Sequence, residues 1–256
     1  MRTVLALIIA LTFISCGKQK PKPTKQEVIA SKSICGKDDR LPSYDLRVAR
    51  ALSSETSSGG CTITMISPNC AVSAAHCVNS LNIFEFNTPP SKDGKIQNSD
   101  IEDVYTRKKD TLTFEDNGIG DDWAVFELAP SAYHGHSAGD MQGYYGVDWG
   151  FGVESTQLIR IAGYGLDVEP DRNLAQQQTT GNIVRTFNSM LYHNVDTMGG
   201  NSGSSIIDVR GNRVIGVHTH GGCGVDANAG TLIAKNKNIS KRELLLYLDL
   251  SKSFPK

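Results

Sequence analysis

Short apolar runs, each about the length of one β-strand, recur along the chain and are separated by glycine, proline, asparagine and aspartate. Five of them are rich in β-branched side chains, at residues 62–66, 123–128, 157–162, 205–209 and 213–217. Runs of this length and composition, bounded by turn-forming residues, are typical of strands rather than helices. The pattern therefore predicts an all-β sandwich or barrel, with a hairpin where residues 208–212 join the last two runs.

The N-terminal stretch predicts export. Residues 1–16 combine a basic residue with an apolar run that is too short to cross a bilayer, as in a signal peptide. The run ends in Phe-Ile-Ser-Cys-Gly, which resembles a bacterial lipobox and makes Cys16 a candidate for lipidation. The alternative is an ordinary signal peptide cleaved near Ser15. Residues 17–32, rich in lysine, glutamine and proline, predict an extended linker or a pro-segment.

The folded domain is expected over residues 33–256, and its end has a different pattern from its body. Ser240 and Glu243 have the spacing of a helix capping box, and several leucines follow them. Residues 240–250 therefore predict a C-terminal helix that packs an apolar face on the strands.

Charge and composition exclude some classes of function. The chain has 26 lysine and arginine residues against 27 aspartate and glutamate residues, so its net charge is −1. No basic field is available to attract nucleic acid. Hydrophobic residues make up 39% and charged residues 21%, which is typical of a globular domain.

The cysteines of the expected domain are odd in number. Export would place them in an oxidising compartment, where disulfides form. They are Cys35, Cys61, Cys70, Cys77 and Cys223. At least one of the five therefore stays outside any disulfide within this domain.

Three motifs together provide the groups that acyl transfer requires. Ser202 lies in Gly-Gly-Asn-Ser-Gly-Ser, where glycines allow a tight turn that aims backbone N–H groups at one point. His76 lies in Ala-Ala-His-Cys, and Asp122 begins an apolar strand. A hydroxyl nucleophile needs a base, and the base needs an acceptor that orients it. Each motif alone is weak evidence, but the three together predict a catalytic site.

In the order histidine, aspartate, serine, these motifs resemble the chymotrypsin-like (trypsin-like) serine peptidases, and the order differs from that of subtilisin-like and α/β-hydrolase enzymes. Asp38-Asp39-Arg40 and the residues leading to Ser202 are similar to the bacterial glutamyl-endopeptidase-like branch. The resemblance implies two six-stranded antiparallel β-barrels with a junction near residues 130–155.

The resemblance also implies a mechanism. An exported, monomeric endopeptidase would hydrolyse polypeptides with Ser202 as nucleophile, His76 as base and Asp122 as its partner. The N–H groups of Gly200 and Ser202 would bind the oxyanion, and no metal or organic cofactor is expected. An inactive, lipid-anchored binding homologue is the alternative from another class of function.

The substrate pocket has two interpretations. Thr197 and His218 lie where glutamate-specific relatives carry donors to a substrate carboxylate, which favours cleavage after glutamate or aspartate. Asp196 lies where trypsin-like enzymes hold the acid that binds arginine or lysine, which is the alternative. The resemblance places further pocket residues on the same strand, namely Thr219, His220 and Gly221.

Two disulfides follow from the resemblance: Cys61–Cys77, which brackets His76, and Cys35–Cys223, which ties the N-terminal segment to the pocket. Cys70 is then expected to be a buried thiol. One departure from the family pattern concerns Ile63, which stands where a glycine is usual beneath the nucleophile. We expect its side chain to crowd the site.

Overall fold

The computed structural model describes residues 33–57, 59–149 and 153–239. In these residues almost every regular element is a strand. The strands are β1 (Leu41–Pro42), β2 (Val48–Leu52), β3 (Cys61–Met65), β4 (Cys70–Ser73), β5 (Ile83–Glu85), β6 (Val104–Thr106), β7 (Thr113–Asp116), β8 (Asp122–Glu127), β9 (Gly146–Val147), β10 (Leu158–Gly163), β11 (Gln177–Phe187), β12 (Met190–His193), β13 (Ser205–Asp208), β14 (Arg213–His220) and β15 (Asn228–Leu232). One short helix, α1, spans Ala138–Gln142, and single 3₁₀ turns span Ala75–Ser80, Ile101–Asp103 and Ile233–Lys235.

The first sheet has seven antiparallel strands in the spatial order β6-β5-β2-β3-β4-β8-β7. It curls until the ends of β6 and β8 meet, where the backbone N–H of Ala129 donates to the carbonyl oxygen of Thr106 at 2.9 Å. A single bridge between Arg107 and Leu128 lies beside that bond. The antiparallel pairing of β4 with β8 places the start of β8 and the 3₁₀ turn after β4 at one end of the sheet.

The second sheet closes completely. Its spatial order is β1-β11-β10-β13-β14-β15-β12, and β12 pairs back onto β11, so six strands form a ring. The pairings in the ring are antiparallel, whereas β9 adds to β14 in parallel. Closure removes the exposed sheet edges that a six-stranded open sheet would present.

The predicted fold class is confirmed, and each of the five sequence runs corresponds to a strand: β3, β8, β10, β13 and β14. The predicted hairpin between β13 and β14 is also present. The strand counts differ in both sheets. In the first, β7 forms a hairpin with β8 and extends the sheet to seven strands, and in the second, β1 and β9 add to the six-stranded ring. The predicted C-terminal helix, the signal sequence with Cys16, and the linker lie outside the described residues.

The hydrophobic core joins the two sheets. The largest cluster of buried side chains fills the first sheet and also includes Ile207, Val214 and Val217 from the second. Ile63, at 0% exposure, belongs to this cluster. Its side chain therefore points into the first sheet and does not crowd the Ser202 loop, which corrects the sequence-based expectation. Because side chains alternate along a strand, the neighbouring Thr62 faces the loop instead.

Within the part of the chain that the structure describes, no helix has both the length and the apolar character needed to cross a membrane.

Candidate active site

A short hydrogen bond joins two of the predicted catalytic side chains. Nδ1 of His76 lies 2.6 Å from Oδ2 of Asp122. The other carboxylate oxygen accepts from the backbone N–H of Ala75 at 2.6 Å and of His76 at 3.2 Å. Asp122 begins β8, and His76 lies in the 3₁₀ turn that follows β4, the strand paired with β8. The pairing of β4 with β8 therefore brings acid and base together.

The electrostatics of this pair match its geometry. Asp122 is fully buried, while 35% of the His76 side chain is exposed. The hydrogen bond to Asp122 raises the pKa of His76 above its ordinary value, and burial opposes the shift. Burial alone would raise the pKa of Asp122, but the hydrogen bonds and positive charge of His76 lower it. The carboxylate therefore stays charged and orients the imidazole with Nδ1–H as donor.

The Ser202 loop packs directly on the first sheet. The backbone N–H of Thr62 donates to the carbonyl oxygen of Ser202 at 2.9 Å. That oxygen also lies 3.7 Å from Sγ of Cys77, the residue after His76. Gly203 has a φ of +88°, and a Cβ there would lie 2.1 Å from Oγ of Ser73 and 2.3 Å from the Thr62 carbonyl oxygen. Only glycine permits both this backbone conformation and this approach.

In the described structure, the backbone N–H groups of Gly200 and Ser202, like that of Gly199, lack protein acceptors. The preceding carbonyls are both engaged, with Gly199 accepting from Leu166 at 2.8 Å and Asn201 from Ser204 at 3.0 Å. Since the C=O and N–H of a trans peptide point in opposite directions, these bonds direct the two N–H groups away from Leu166 and Ser204. A negatively charged oxygen is the ligand that such paired donors suit.

A second histidine, His193, hydrogen-bonds to the ring of His218. Nε2 of His193 lies 3.1 Å from Nδ1 of His218, and both rings are buried. The backbone N–H of Val195 donates to Nδ1 of His193 at 3.2 Å. Neutral His193 therefore carries its proton on Nε2 and donates it to His218, whose own proton must then be on Nε2. Among the described groups, none accepts from that Nε2–H.

Both buried rings stay neutral. Burial lowers the pKa of His193 to about 3. Burial, together with the neighbouring histidines, also lowers the pKa of His218 well below its ordinary value. A neutral imidazole with one fixed N–H is a donor whose direction does not change with pH in the physiological range.

Asp196 points at the N-terminal segment. One carboxylate oxygen accepts from the backbone N–H of Cys35 at 2.6 Å and the other from that of Asp39 at 3.1 Å. The residue is only 4% exposed. Burial raises the pKa of Asp196, and its two N–H donors only partly offset this. Both oxygens thus hold backbone groups of the chain itself.

Asn228 holds Thr197 and the N-terminal segment together. Its buried Nδ2 donates to the carbonyl oxygens of Ser33 and Val195, each at 2.8 Å, and reaches Oγ1 of Thr197 at 3.2 Å. Its Oδ1 accepts from the N–H of Gly222 at 2.8 Å. The side-chain amide of Asn228 thereby connects the N-terminal segment with the segment that carries Val195 and Thr197 and with the turn at Gly222.

The remaining predicted pocket residues follow His218 along the end of β14 and the turn after it. Thr219 is buried, His220 is half-buried and Gly221 is exposed. The ring centroid of His220 lies 6.1 Å from that of His76. This end of β14 therefore borders the His76–Asp122 pair.

Comparison with known proteins agrees with this geometry. The family model described as Trypsin matches residues 34–239. The chain belongs to the trypsin family. A glutamyl endopeptidase of Bacillus licheniformis is 27% identical over 239 residues, which cover 85% of this chain and 70% of that protein. The family and this relative identify the protein as a hydrolase of the serine endopeptidase class that acts on polypeptides.

Solved structures support the fold alone. A Glu endopeptidase in complex with MPD aligns with a TM-score of 0.63 at 20% identity, covering 84% of this chain and 98% of that one. A thermostable serine protease from an extremophilic microorganism aligns with a TM-score of 0.55 at 13% identity, covering 73% and 90%. Both resemblances extend over most of this chain.

Two disulfides stabilise this trypsin-family domain, and they join the pairs that the resemblance implied. Cys61–Cys77 has a Cα–Cα distance of 6.1 Å and brackets His76, while Cys35–Cys223 has a distance of 4.9 Å. Both distances are ordinary for disulfides. The bridges indicate an oxidising compartment, which agrees with export. Since the sulfurs near His76 are bonded to each other, neither provides the thiolate that a metal ion would need.

Three contributors to this trypsin-family site were missed by sequence analysis: Thr62, His193 and Asn228. Thr62 and Ile63 lie on opposite faces of β3. The alternation of side chains along a strand could have predicted that Thr62, and not Ile63, faces the Ser202 loop. His193 and Asn228 pair across β12 and β15. The partners that place them in the site, His218 for His193 and Ser33 for Asn228, lie far away in sequence, so no local pattern identifies them.

The arrangement of the cysteines leads to a prediction. Peptide mapping under non-reducing conditions should recover Cys35–Cys223 and Cys61–Cys77. Cys70 should react slowly with iodoacetamide near neutral pH, because burial raises the pKa of its thiol to about 12. Unfolding in urea without reductant should make Cys70 react at the rate of an ordinary thiol. A peptide that links Cys70 to Cys223 would contradict the pairing.

Proposed function

We propose that this serine endopeptidase cleaves peptides through a triad of Ser202, His76 and Asp122. The observation that carries the proposal is the buried Asp122 carboxylate, hydrogen-bonded to Nδ1 of His76 at 2.6 Å, beside a loop that presents Ser202. His76 has its Nε2 left to accept a proton, since Nδ1–H is held by Asp122. That is the tautomer that a general base for a serine hydroxyl requires.

The proposed reaction forms and breaks an acyl-enzyme. His76 takes the Ser202 hydroxyl proton as the oxygen attacks the substrate carbonyl, and the resulting oxyanion accepts from the N–H groups of Gly200 and Ser202. His76 then gives the proton to the leaving amine, and water repeats the sequence to release the acid. Asp122 stabilises the charged imidazole throughout. Each oxyanion donor contributes about 3 kcal/mol of transition-state stabilisation in such sites.

We infer further that the preferred residue before the scissile bond is glutamate or aspartate. The support is the fixed donor of His218, whose Nε2–H has no described protein acceptor, and the neighbouring hydroxyl of Thr197. Nδ2 of Asn228 lies 3.2 Å from Oγ1 of Thr197, and within the described residues no protein group accepts from the Thr197 hydroxyl, so its proton remains for a substrate carboxylate. The name of the Bacillus licheniformis relative, glutamyl endopeptidase, agrees with this choice.

Asp196 favours the same choice. Cleavage after arginine or lysine would need a carboxylate that is free to pair with the substrate cation. Both oxygens of Asp196 are occupied by the N–H groups of Cys35 and Asp39. In this proposal the Asp196 carboxylate therefore binds the N-terminal segment and not the substrate. The peptide assay below tests the alternative, cleavage after arginine or lysine.

The position of Ser33 links specificity to maturation. Its carbonyl oxygen accepts from the backbone N–H of Thr197 at 3.1 Å and from Nδ2 of Asn228 at 2.8 Å. We propose that residues 17–32 are a pro-segment and that cleavage after Lys32 frees an α-amino group next to Thr197. A cation at that place would attract a substrate carboxylate, most strongly where water is excluded. Lipidation of Cys16 would anchor the uncut, monomeric precursor to the cell envelope, and trimming would release it.

The proposed triad predicts which variants lose the reactive serine or its base. Ser202→Ala should abolish labelling by a fluorophosphonate probe, and His76→Ala should lower kcat by at least about 1,000-fold because the hydroxyl loses its base. Ser204→Ala is the matched control, since it removes a buried hydroxyl from the same loop. It should retain labelling. A folded wild-type protein that the probe does not label would contradict the triad and favour the inactive binding homologue.

The pKa of His76 leads to a prediction about pH. Neutral His76 is the active form, so kcat/KM should rise with pH through a pKa that Asp122 holds above the ordinary value of about 6.5. His193, His218 and His220 have lowered pKa values and stay neutral there. The profile is measured with a glutamate peptide, whose own carboxylate titrates far lower.

The control for this profile is His220→Gln. Whatever its effect on rate, it should leave the midpoint of the acid limb in place, because the pKa of His220 is already lowered by burial. A midpoint below the ordinary histidine value would contradict the assignment of His76 as the base.

Specificity is tested with peptides that differ only in glutamate, glutamine or lysine before the scissile bond. Glutamate should be preferred, and the ratio of kcat/KM for glutamate over glutamine should rise after removal of residues up to Lys32, because a cation is added near Thr197. His218→Gln should reduce the same ratio. A preference for lysine that disappears in Asp196→Ala would contradict the proposal and support trypsin-like cleavage.

A further inference from the structure

Thr62, on strand β3 of the first sheet, hydrogen-bonds to the Ser202 loop through both its backbone N–H and its hydroxyl. Its backbone N–H donates to the carbonyl oxygen of Ser202 at 2.9 Å. Its hydroxyl donates to the carbonyl oxygen of Gly200 at 2.8 Å and accepts from the backbone N–H of Tyr164 at 3.0 Å. The side chain is fully buried. The hydroxyl therefore has a fixed direction, with both its donor and one acceptor position used.

The carbonyl groups of the loop show what this contact does. Each carbonyl oxygen of residues 199–202 accepts from the protein: Gly199 from the N–H of Leu166, Gly200 from the Thr62 hydroxyl, Asn201 from the N–H of Ser204, and Ser202 from the N–H of Thr62. The peptide units that carry the N–H groups of Gly200 and Ser202 thus alternate with units that Thr62 holds. Fixing the latter limits rotation of the former.

Gly200 makes this restraint necessary. Its φ is +102°, and it follows another glycine, so the backbone here has more accessible conformations than at any ordinary residue. Rotation of this segment would turn the N–H of Gly200 away from the substrate. In the described residues, the hydroxyl of Thr62 is the only donor to the Gly200 carbonyl oxygen. Loss of that donor would leave the unit between Gly200 and Asn201 held only by the N–H of Asn201, which donates to Met198 at 2.9 Å.

We propose that Thr62 is a positioning residue that keeps the N–H groups of Gly200 and Ser202 directed at the oxyanion. The inference rests on the proposed triad and extends it to a side chain of the other sheet. Because the oxyanion exists only in the transition state and the tetrahedral intermediate, the contribution of Thr62 appears in kcat and not in substrate binding.

The test compares Thr62→Val with Thr64→Val. Both replace a buried threonine of β3 by a side chain of the same shape, and both leave one backbone N–H without an acceptor, that of Tyr164 or that of Ser205. Thr62→Val should lower kcat by about 10-fold to 100-fold, which is less than complete loss of one oxyanion donor. KM should change by less than about twofold, because ground-state binding does not use the oxyanion site. Thr64→Val should leave both constants near wild type.

Binding of an inhibitor that forms a tetrahedral adduct measures the oxyanion site separately from substrate binding, which a general loss of structure would also impair. A peptide boronic acid places an oxygen where the oxyanion forms. Its inhibition constant should therefore increase in Thr62→Val by a factor similar to the decrease in kcat. Thr62→Ser, which keeps the hydroxyl, should restore both quantities. If the valine variant does not fold, Thr62→Ala paired with Thr64→Ala gives the same comparison.

The outcomes separate this inference from the proposal on which it rests. An active wild-type enzyme in which the variants at 62 and 64 lose kcat equally, or in which Thr62→Val raises KM and leaves kcat unchanged, overturns the role of Thr62 alone. A wild-type protein that neither cleaves peptides nor reacts with the fluorophosphonate probe overturns the triad and this role with it.

Discussion

The site depends above all on a buried negative charge. Asp122 has no exposed surface, and an isolated carboxylate in such a place would be strongly unfavourable. Three donors stabilise it, from the backbone of Ala75 and from the backbone and ring of His76. Charge-assisted bonds of this kind are about twice as strong as neutral ones. The 3₁₀ turn that carries His76 is therefore held by the same carboxylate that orients its ring, so structure and proposed catalysis use one interaction.

Two threonines extend that constraint across the boundary between the sheets. Oγ1 of Thr231, on β15, donates to the backbone carbonyl oxygen of Asp122 at 2.8 Å and lies 3.3 Å from its N–H. Thr62, on β3, makes the reciprocal contact from the first sheet to the Ser202 loop. Each sheet thus provides one hydroxyl that hydrogen-bonds to the backbone at or near a proposed catalytic residue of the other sheet. Since the largest apolar cluster also spans both sheets, relative motion of the sheets would disturb core packing and site together.

Local sequence was sufficient to predict five of the described strands, and it was insufficient for the contacts between the strands. Runs such as the one at Trp123 predicted β8 because β-branched residues and flanking turn formers act locally. The motif at Ser202 marked the loop because glycine at position 203 is required by a positive φ and a close approach. By contrast, the expectation that Ile63 crowds the loop was wrong, because motif position was considered without the alternation of side chains on β3. His193 and Asn228 acquire their partners only through tertiary pairing, which no window of sequence contains.

The N-terminal segment shows how a pocket is built from distant parts of a chain. Arg40 donates to the carbonyl oxygen of Leu166 at 2.9 Å, and the N–H of Leu166 in turn donates to the carbonyl oxygen of Gly199 in the Ser202 loop at 2.8 Å. Asp196 holds the segment from the other side through the N–H of Cys35, whose sulfur is bonded to Cys223. An aspartate that sequence position alone would assign to a substrate cation is therefore used to secure the chain's own backbone. With both of its oxygens engaged, this carboxylate fixes the segment beside Thr197, whose backbone N–H donates to the carbonyl oxygen of Ser33 at 3.1 Å.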